Sequence, residues 1–478
     1  MRKLEILALV FLVFTALSLR LYKIDRPLAD WHSWRQADTA SVARNFIKDG
    51  YNPFIPKFDD MSSQANGLDN PNRYRFVEFP IYNTVIAGVW TITGVDITVA
   101  RFTTAIITLL SMLCLYFIVR YMSGGLTAFF ASLYFAVIPY NVFYSTAILP
   151  GPMMVFCLLA AYLAFIYWLK NEKNWYLFII SAIFSSLAVL TWPIALFFTL
   201  PLIYLAWDKH GLQAFKKASL WVYAFISLAP FIAWRFWIMN FPEGIPNWRF
   251  LINENNIRFK GAFFRWLVIE RMGKLILTLG GFSLLVFGLA RKPSREKLFY
   301  YIMLASVALY FTTFASGNVR HDYYQIPAIP AFAIFMALGT KMLIFPPANL
   351  INIYAGRIIA SVAIMFLLVF GFYEIQGYYW INNPAIVSAG TAVDRLLPKD
   401  ATVVAPYNGD AALLYQTNRR GYPITDRPLE KFIEQGTIHL VSVDVNDAGI
   451  QNLARHCKVL EQTGQYVIIE MFTECIGK

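Results

Sequence analysis

The stretch WHSWRQADTA, residues 31–40, concentrates chemically competent side chains directly after an apolar segment. Ser33 and Gln36 have the spacing of a capping box, which predicts a helix that begins immediately after Ser33. Arg35 and Asp38 are three positions apart and therefore share one face of that helix. Because an arginine in the first turn opposes the helix dipole, helix stability does not explain Arg35. The pair indicates an anion site beside a general base.

An interfacial anchor is the alternative interpretation of the same stretch. In that case Trp31 and Trp34 lie in the aromatic belt, Arg35 contacts lipid phosphates and Asp38 pairs with an arginine. The predicted helix follows the first apolar run closely, which suits a helix lying on the membrane surface. A helix on the membrane surface lies at the depth of the lipid phosphate headgroups, so its position alone is consistent with both interpretations.

The same predicted loop contains two more acidic segments. In residues 72–92, Glu78 follows two arginines and precedes a second amphipathic helix. In residues 56–60, PKFDD, we interpret Asp59 and Asp60 as a solvated turn. Glu78 is therefore the second candidate for a catalytic carboxylate.

A third polar cluster lies late in the chain, in GNVRHDYYQIPAIP at residues 317–330. It contains Arg320, His321, Tyr323 and Tyr324 at the outer end of two predicted spans. An aromatic belt with a basic anchor would be a purely structural explanation. The density of hydrogen-bonding groups favours a phosphate or sugar site. Together the three clusters predict one outward-facing site.

The composition indicates what positions these residues. The chain has 478 residues, of which 58% are hydrophobic and 15% charged, with a mean hydropathy of +0.50. A soluble protein would have about 25% charged residues. Uncharged runs near the length needed to cross a bilayer recur, and about eleven spans are predicted. They are residues 4–22, 100–120, 125–145, 150–169, 175–192, 194–207, 219–238, 273–290, 298–316, 326–344 and 357–374.

The formal net charge of +12 follows from membrane topology. With the N-terminus in the cytoplasm, the cytoplasmic loops hold an excess of basic residues, among them Lys170, Lys216 and Arg291, as the positive-inside rule requires. These charges are scattered over short loops, so we expect no nucleic-acid partner. The first run could also be a cleavable signal peptide, but repeated crossings favour a retained helix. An odd span count places the C-terminus outside.

The segment after the last span predicts a small external α/β domain. ATVVAP, IHLVSV and YVIIEM have strand character, and GTAVDRLLP, PLEKFIEQG and DAGIQNLARH have helical spacing. Cys457 and Cys475 both lie in this tail, where a disulfide is permitted, and the sequence leaves their pairing open. The chain has no Asn-x-Ser/Thr sequon, which suits a bacterial plasma membrane.

Three segments resemble GT-C class glycosyltransferases, specifically the bacterial relatives of dolichyl-phosphate-mannose protein mannosyltransferases and the lipid A aminoarabinose transferase. They are HSWRQADTASVARNF, EFPIYNTVIAGVW and RHDYYQIPAIP. The resemblance implies a transmembrane GT-C domain over residues 1–374, with the first external loop at 23–99. Residues 375–478 would form the extracytoplasmic α/β domain, which the resemblance matches only in position.

The resemblance also implies an activity. A sugar would move from a polyprenyl-phosphate carrier to a hydroxyl of an extracytoplasmic lipid, glycan or protein acceptor. An acidic residue of the first loop would act in catalysis, and basic and tyrosine side chains would hold the lipid phosphate. The better-known members have an adjacent Asp-Glu pair near the start of the helix. This chain has Arg35 and Gln36 there, with its acid at Asp38.

We assign roles from the chemistry of such a transfer. A guanidinium stays charged and can contact two phosphate oxygens as the C1–O bond breaks, and a carboxylate can take the acceptor proton. A single displacement would invert the anomeric carbon. Asp38 is the predicted base, with Glu78 as the second catalytic candidate. The predicted donor ligands are Arg35, His32, Arg320, His321, Tyr323 and Tyr324. No Cys/His spacing demands a metal, although Asp38, Glu78 and His32 could hold a divalent ion if they converge.

A transporter or flippase of lipid-linked sugars is the competing function. Such proteins usually have internal repeats and charges near the bilayer midplane, whereas the charges here cluster in external loops. A membrane-anchored binding protein that acts through its tail would leave the loop chemistry unexplained. We therefore expect a multi-pass glycosyltransferase of the bacterial cytoplasmic membrane, with a cytoplasmic N-terminus and an external C-terminal domain.

Overall fold

The computed structural model describes residues 3–347 and 351–476, which fall into two compact units. The first unit comprises Met1–Ile24, Arg101–Phe236 and Trp248–Gly377. The second comprises Asp25–Ala100, Trp237–Asn247 and Tyr378–Lys478. Most of the predicted first external loop (25–99) and most of the tail (378–478) therefore belong to the same compact unit. The functional division at residue 374 that the sequence predicts stays a prediction.

The first unit is helical. Its α-helices are Lys3–Arg20, Ile97–Ser123, Gly125–Val137, Pro139–Tyr144, Pro150–Lys170, Trp175–Thr191, Leu200–His210, Ala218–Ile238, Phe250–Asn253, Gly261–Phe264, Thr278–Ala290, Phe299–Thr313, Ala315–Arg320, Ile329–Ile344 and Ile353–Ile375. A π-helix covers Arg265–Ile276, and shorter 3₁₀ segments include Pro193–Thr199, Gly211–Lys216, Glu254–Phe259 and Asp322–Ala328. Helix Ile97–Ser123 begins in a segment of the second unit, and helix Ala218–Ile238 ends in one.

The helices are those of a multi-pass membrane protein. Within the described residues, five helical segments are long and apolar enough to cross a bilayer. They are Ile97–Ser123, Pro150–Lys170, Ala218–Ile238, Asp322–Ile344 and the segment that begins at Ile353. A sixth is formed if Gly261–Ile276 and Thr278–Ala290, which meet at 107°, count as one span. Each of the eleven predicted spans overlaps a helix, and their exact number stays a prediction.

Glycines bring the backbones of two of these helices into contact. A Cβ atom at Gly288 would lie 1.9 Å from the carbonyl oxygen of Phe335, and one at Gly339 would lie 1.9 Å from that of Leu284. Such close approach is a common way for helices to pack in a membrane. The contact fixes helix Ile329–Ile344, which continues directly from the 3₁₀ segment that carries the third polar cluster.

The second unit contains a five-stranded sheet in the order β2-β1-β3-β5-β4. The strands are β1 (Thr402–Val404), β2 (Arg420–Tyr422), β3 (His439–Ser442), β4 (Lys458–Gln462) and β5 (Val467–Glu470). β1 pairs in parallel with β2 and β3, whereas β5 is antiparallel to β3 and β4. The helices of this unit are Ser33–Lys48, Ile81–Thr93, Pro384–Leu396, Ala411–Gln416, Leu429–Glu434 and Ala448–His456. The predicted α/β tail is confirmed.

The first loop is joined to this sheet at the edge formed by β2. The amide of Gly421 donates to the carbonyl of Asp59 at 3.0 Å, and the amide of Met61 donates to the carbonyl of Gly421 at 2.8 Å. Nearby, the guanidinium of Arg44 lies 4.1 Å from the centre of the Tyr415 ring. These contacts hold helix Ser33–Lys48 against the tail.

A disulfide joins Cys457 and Cys475 in the tail. Both cysteines lie in a buried cluster that includes Phe432, Leu440 and Ile469. The bridge closes a loop of 18 residues around strands β4 and β5, so it restricts the unfolded chain and stabilises the sheet.

Candidate functional site

Helix Ser33–Lys48 positions the residues of the opening stretch, but the predicted capping box is wrong. The helix begins at Ser33, and its cap residue His32 is left-handed, with a φ of 54° and no side-chain capping hydrogen bond. Ser33 is therefore already inside the first turn. The Gln36 side chain donates instead to Asp30 at 2.9 Å and to the Trp31 carbonyl at 3.0 Å.

Arg35 joins two carboxylates. Its Nη1 lies 2.9 Å from Asp38 Oδ2, and its Nη2 lies 2.6 Å from Glu78 Oε1. All three side chains are buried, with exposed fractions of 8%, 4% and 8% for Arg35, Asp38 and Glu78. Burial weakens solvent screening, so the Coulomb attraction within these ion pairs is stronger than in surface pairs of the same length, while the cost of removing the charges from water offsets part of it. A purely interfacial anchor would leave these groups exposed to headgroups and water.

Arg75 adds a second guanidinium to the site, which the sequence analysis did not assign. Its Nη2 lies 2.5 Å from Asp38 Oδ2, and its Nη1 donates to Gln64 at 2.5 Å. Asp38 therefore uses one oxygen for both arginines, which leaves Oδ1 outside these two ion pairs. Arg73 pairs instead with Asp49 at 2.6 Å. Sequence spacing alone does not distinguish Arg73 from Arg75.

One carboxylate oxygen of Glu78 accepts no hydrogen bond from the described residues of the site. Its Oε2 is buried and has no hydrogen-bond partner among the described residues. An unpaired buried oxygen costs about 1–3 kcal/mol of stability, which a hydrogen bond from a ligand or an ordered water would recover. A small recess beside it is lined by Arg35, Asp38, Thr39, Val42, Pro56, Arg75, Val77, Glu78, Pro80 and Asn83. Asn83 fixes the two helices of this recess by donating to the Thr39 carbonyl at 2.7 Å.

The predicted solvated turn at Asp59 and Asp60 is wrong, because both side chains are buried. Asp59 forms an ion pair with Arg44 and accepts a hydrogen bond from Asn45 at 3.0 Å. Asp60 accepts from the Ser62 amide at 2.7 Å. Burial raises the pKa of Asp60 to about 6, the Ser62 hydrogen bonds lower it, and the negative charge of Asp38 raises it further.

The described residues do not bring His32 together with Asp38 and Glu78. Its ring lies edge-on to Trp31, with centroids 5.2 Å apart. Burial raises the pKa of Asp410 to about 6, and the charge of His32 opposes that rise, so these two residues are electrostatic neighbours. In the described part of the chain, no group of three or more His, Cys, Asp or Glu side chains could hold a metal ion. Arg35 and Arg75 lie against these carboxylates and balance their charge.

The third polar cluster lies in the first unit and is mainly aromatic. The His321 ring lies 5.5 Å from both Tyr323 and Tyr324, whose centroids are 5.0 Å apart. Trp192, which the sequence did not suggest, lies 5.4 Å from Tyr324. Arg320 forms an ion pair with Glu254. We call His321, Tyr323, Tyr324 and Trp192 the aromatic cluster.

Asp322 anchors this segment. Its side chain accepts a hydrogen bond from the Tyr144 hydroxyl at 2.6 Å, and its carbonyl accepts from the Tyr140 hydroxyl at 2.5 Å. Arg271 lies 3.7 Å from the same carboxylate. These partners are far away in sequence, and the tyrosines lie in an apolar helix, so no local pattern indicates them. The aromatic cluster and the Arg35 site belong to different units, and their forming one site stays a prediction.

Residues 77–237 match the family model described as dolichyl-phosphate-mannose-protein mannosyltransferase. The match begins one residue before Glu78 and excludes helix Ser33–Lys48 and the third polar cluster. No curated protein sequence matches the chain significantly.

Solved structures match the chain over nearly its whole length. ArnT from Cupriavidus metallidurans, crystallised with undecaprenyl phosphate, superimposes with a TM-score of 0.66 at 14% identity, covering 98% of this chain and 99% of that one. This chain has a GT-C fold. The oligosaccharyltransferase of Archaeoglobus fulgidus with Zn and sulfate gives a TM-score of 0.57 at 13% identity, covering 92% of this chain and 68% of that one.

A third structure has the same GT-C fold. The archaeal oligosaccharyltransferase AglB from Archaeoglobus fulgidus, in complex with an inhibitory peptide and a dolichol-phosphate, gives a TM-score of 0.55 at 11% identity and covers 98% of this chain and 74% of that one. At these identities the likeness establishes the fold. The predicted GT-C architecture, with its small C-terminal sheet domain, is confirmed.

Proposed function

We propose that this GT-C protein is a glycosyltransferase that moves a sugar from a polyprenyl-phosphate carrier to an acceptor hydroxyl, with inversion at the anomeric carbon. One observation carries the proposal: Arg35 joins Asp38 and Glu78 in a buried site, with Arg75 on the same Asp38 oxygen. The fold supports it, because a GT-C protein of similar length was crystallised with undecaprenyl phosphate.

The guanidinium groups supply the charge that the leaving group needs. Negative charge grows on the carrier phosphate as the C1–O bond of the sugar breaks. Arg35 and Arg75 each offer a planar guanidinium that can contact two phosphate oxygens at once. Both are held in place by buried carboxylates before a donor arrives, so little reorganisation is needed during the reaction.

The carboxylates supply the base. Asp38 directs Oδ2 to both arginines, so Oδ1 is the oxygen that takes the proton from the acceptor hydroxyl. Glu78 is the second candidate because its Oε2 has no partner in the described structure. Attack by the activated hydroxyl, on the face opposite the phosphate, is a single displacement and inverts the anomeric carbon.

The aromatic cluster is assigned to the donor. His321, Tyr323 and Tyr324 offer an imidazole and two phenols on a segment that Asp322 holds in place. Such groups donate hydrogen bonds to phosphate or sugar oxygens and pack against a sugar ring. Arg320 is a weaker candidate because Glu254 already balances its charge.

The protein would act in the cytoplasmic membrane of a bacterium, with its N-terminus inside and its tail outside. This orientation places the two carboxylates on the side where lipid, glycan or protein acceptors are exposed. The distribution of Lys and Arg over the predicted cytoplasmic loops supports this orientation.

Purified full-length protein would test the proposal. It would be incubated in detergent with a panel of undecaprenyl-phosphate-linked sugars and extracted bacterial envelope lipids, and released undecaprenyl phosphate would be measured. We expect release with at least one sugar and its loss in Asp38→Asn. Transbilayer movement of an intact donor in proteoliposomes, without release of carrier phosphate, would instead establish the flippase function.

A further inference from the structure

The tail contains a cleft of about 880 Å³ that the proposed transfer reaction does not use. It lies at one edge of the sheet. Strands β2, β1 and β3 are parallel, so their carboxyl ends lie at the same edge. The residues that line the cleft follow each of these strands: Tyr407 follows β1, Thr425 follows β2 and Asp444 follows β3. This is where open α/β sheets bind their ligands.

The walls of the cleft are held by hydrogen bonds. The carbonyl of Pro423 accepts from the amides of Tyr407 at 3.0 Å and Gly409 at 3.2 Å, which ties the loop after β1 to the loop after β2. The amide of Asp444 donates to the Ser442 hydroxyl at 3.1 Å. The cleft is therefore largely formed before a ligand binds, as small-molecule sites usually are.

The charge of the cleft excludes a simple anion site. Arg427 is its one lining cation among the described residues, and it is already paired with Asp426 and Asp69, each at 2.9 Å. Its guanidinium also lies over the rings of Tyr422 and Phe432. Asp444, which also lines the cleft, is an exposed carboxylate. An anionic ligand would therefore meet a neutralised cation and a repelling carboxylate.

The remaining lining matches a neutral ligand with many hydroxyl groups. Asn408 and Thr425 can both donate and accept hydrogen bonds, and Asp444 accepts them. Leu429, Leu440 and Ile450 give the cleft an apolar part, and the half-buried Tyr407 lines it as well. Sugars present hydroxyls at their edges and C–H groups on their faces, so such a mixed surface suits them.

We propose that this cleft binds a neutral carbohydrate and so holds the glycan portion of the acceptor. The lining of the cleft supports carbohydrate binding by itself, whereas the role of this carbohydrate as part of the acceptor rests on the proposed function. The acceptor class would then be a glycan or glycolipid rather than a bare protein hydroxyl.

The test is binding by the full-length protein in detergent to an array of bacterial envelope oligosaccharides, followed by calorimetry with the neutral oligosaccharide that binds most tightly. Tyr407→Ala and Asp444→Asn should each raise Kd by about tenfold, equivalent to about 1.4 kcal/mol. Asp400→Asn, an exposed acid of the tail outside the cleft, is the matched control and should leave Kd unchanged. Binding only to acidic or phosphorylated glycans, or to none, would overturn the proposal, as would an unchanged Kd in both cleft variants.

The two proposals fail separately. Asp38→Asn should lose transfer but keep oligosaccharide binding, because Asp38 does not line the cleft. If the wild type binds oligosaccharide but transfers no sugar, the proposed transferase activity is wrong and carbohydrate binding by the cleft still holds. If the wild type transfers sugar but binds no oligosaccharide, the proposed role of the cleft is wrong and the transferase activity still holds.

Discussion

Arg35 Nη2 lies 2.6 Å from Glu78 Oε1, which joins two segments 43 residues apart in the first loop. The other amino group of Arg35 contacts Asp38, so a single guanidinium sets the spacing of both candidate bases. Substitutions at these three positions should therefore have effects that differ in kind.

Asp38→Asn keeps the shape of the side chain and removes the proton acceptor. Turnover should fall by about two orders of magnitude or more, with donor binding nearly preserved. Single-turnover sugar transfer, with donor binding measured in parallel, is the deciding assay. Glu78→Gln is the comparison: a fully active Asp38→Asn beside an inactive Glu78→Gln would move the base to Glu78.

Arg35→Lys keeps a positive charge but cannot contact Asp38 and Glu78 through two amino groups at once. Donor affinity and turnover should both drop, because the planar fork that would meet the phosphate is lost. Arg73→Lys is the matched control, since its ion pair with Asp49 is partly exposed. Equal effects of the two substitutions would contradict a specific role for Arg35 and favour the interfacial anchor.

His321→Ala and Tyr324→Phe test the aromatic cluster. A hydrogen bond to a charged group is worth about 1.5–3 kcal/mol, so kcat/KM for the donor should fall roughly ten- to a hundredfold. Arg320→Ala should cost less, because Arg320 is half-exposed and paired with Glu254. Unchanged kinetics in the first two variants, with normal thermal unfolding, would make this stretch an aromatic belt.

Asp60 should make stability depend on pH. Its pKa of about 6 in the folded protein lies above the ordinary value of 3.8, so the folded state keeps its proton longer than the unfolded state. The stability contribution of this group is therefore greatest below about pH 4 and is lost as pH rises to about 6. Asp60→Asn keeps an acceptor for the Ser62 amide and removes this loss.

The measurement is thermal unfolding in detergent between pH 4.5 and 7.5. Relative to wild type, Asp60→Asn should gain stability as pH rises, by roughly 2 kcal/mol over this range. Asp400→Asn, which is exposed, should show no such trend. A difference between Asp60→Asn and wild type that does not change with pH would contradict the raised pKa.

The predicted topology can be tested by labelling single cysteines in intact cells. In a background without the free cysteines Cys114 and Cys157, Ala65→Cys and Glu430→Cys should react with an impermeant thiol reagent, and Phe215→Cys should react only after permeabilisation. The expectation follows from the excess of Lys and Arg in the predicted cytoplasmic loops. Labelling of position 215 in intact cells would invert the orientation.

Features that depend on neighbouring residues in the sequence were predicted correctly. Every long apolar run forms a helix, and the spacing of Arg35 and Asp38 brought them to one helix face. Strands β2 and β4 were missed, because β2 is three residues long with Gly421 at its centre and β4 is rich in polar residues.

Long-range contacts account for the rest. The burial of Asp59 depends on Arg44, which lies 15 residues away, and Asp322 is anchored by Tyr144, which is 178 residues away. No periodicity in a short window reports such partners. Likewise, the fold of the loop determines that Arg75 and not Arg73 contacts Asp38, because the two arginines occupy almost equivalent positions in the sequence.

The pairing of Gly421 with Asp59 and Met61 has a consequence for how the tail can be handled. A fragment that begins at residue 378 would lack the first-loop segment that covers the β2 edge of the sheet. Uncovered strand edges pair with other chains, so the isolated tail should be prone to self-association. For the same reason, a hybrid that receives the tail of a relative should need that relative's first loop as well, and the two segments should be inherited together although more than 300 residues separate them.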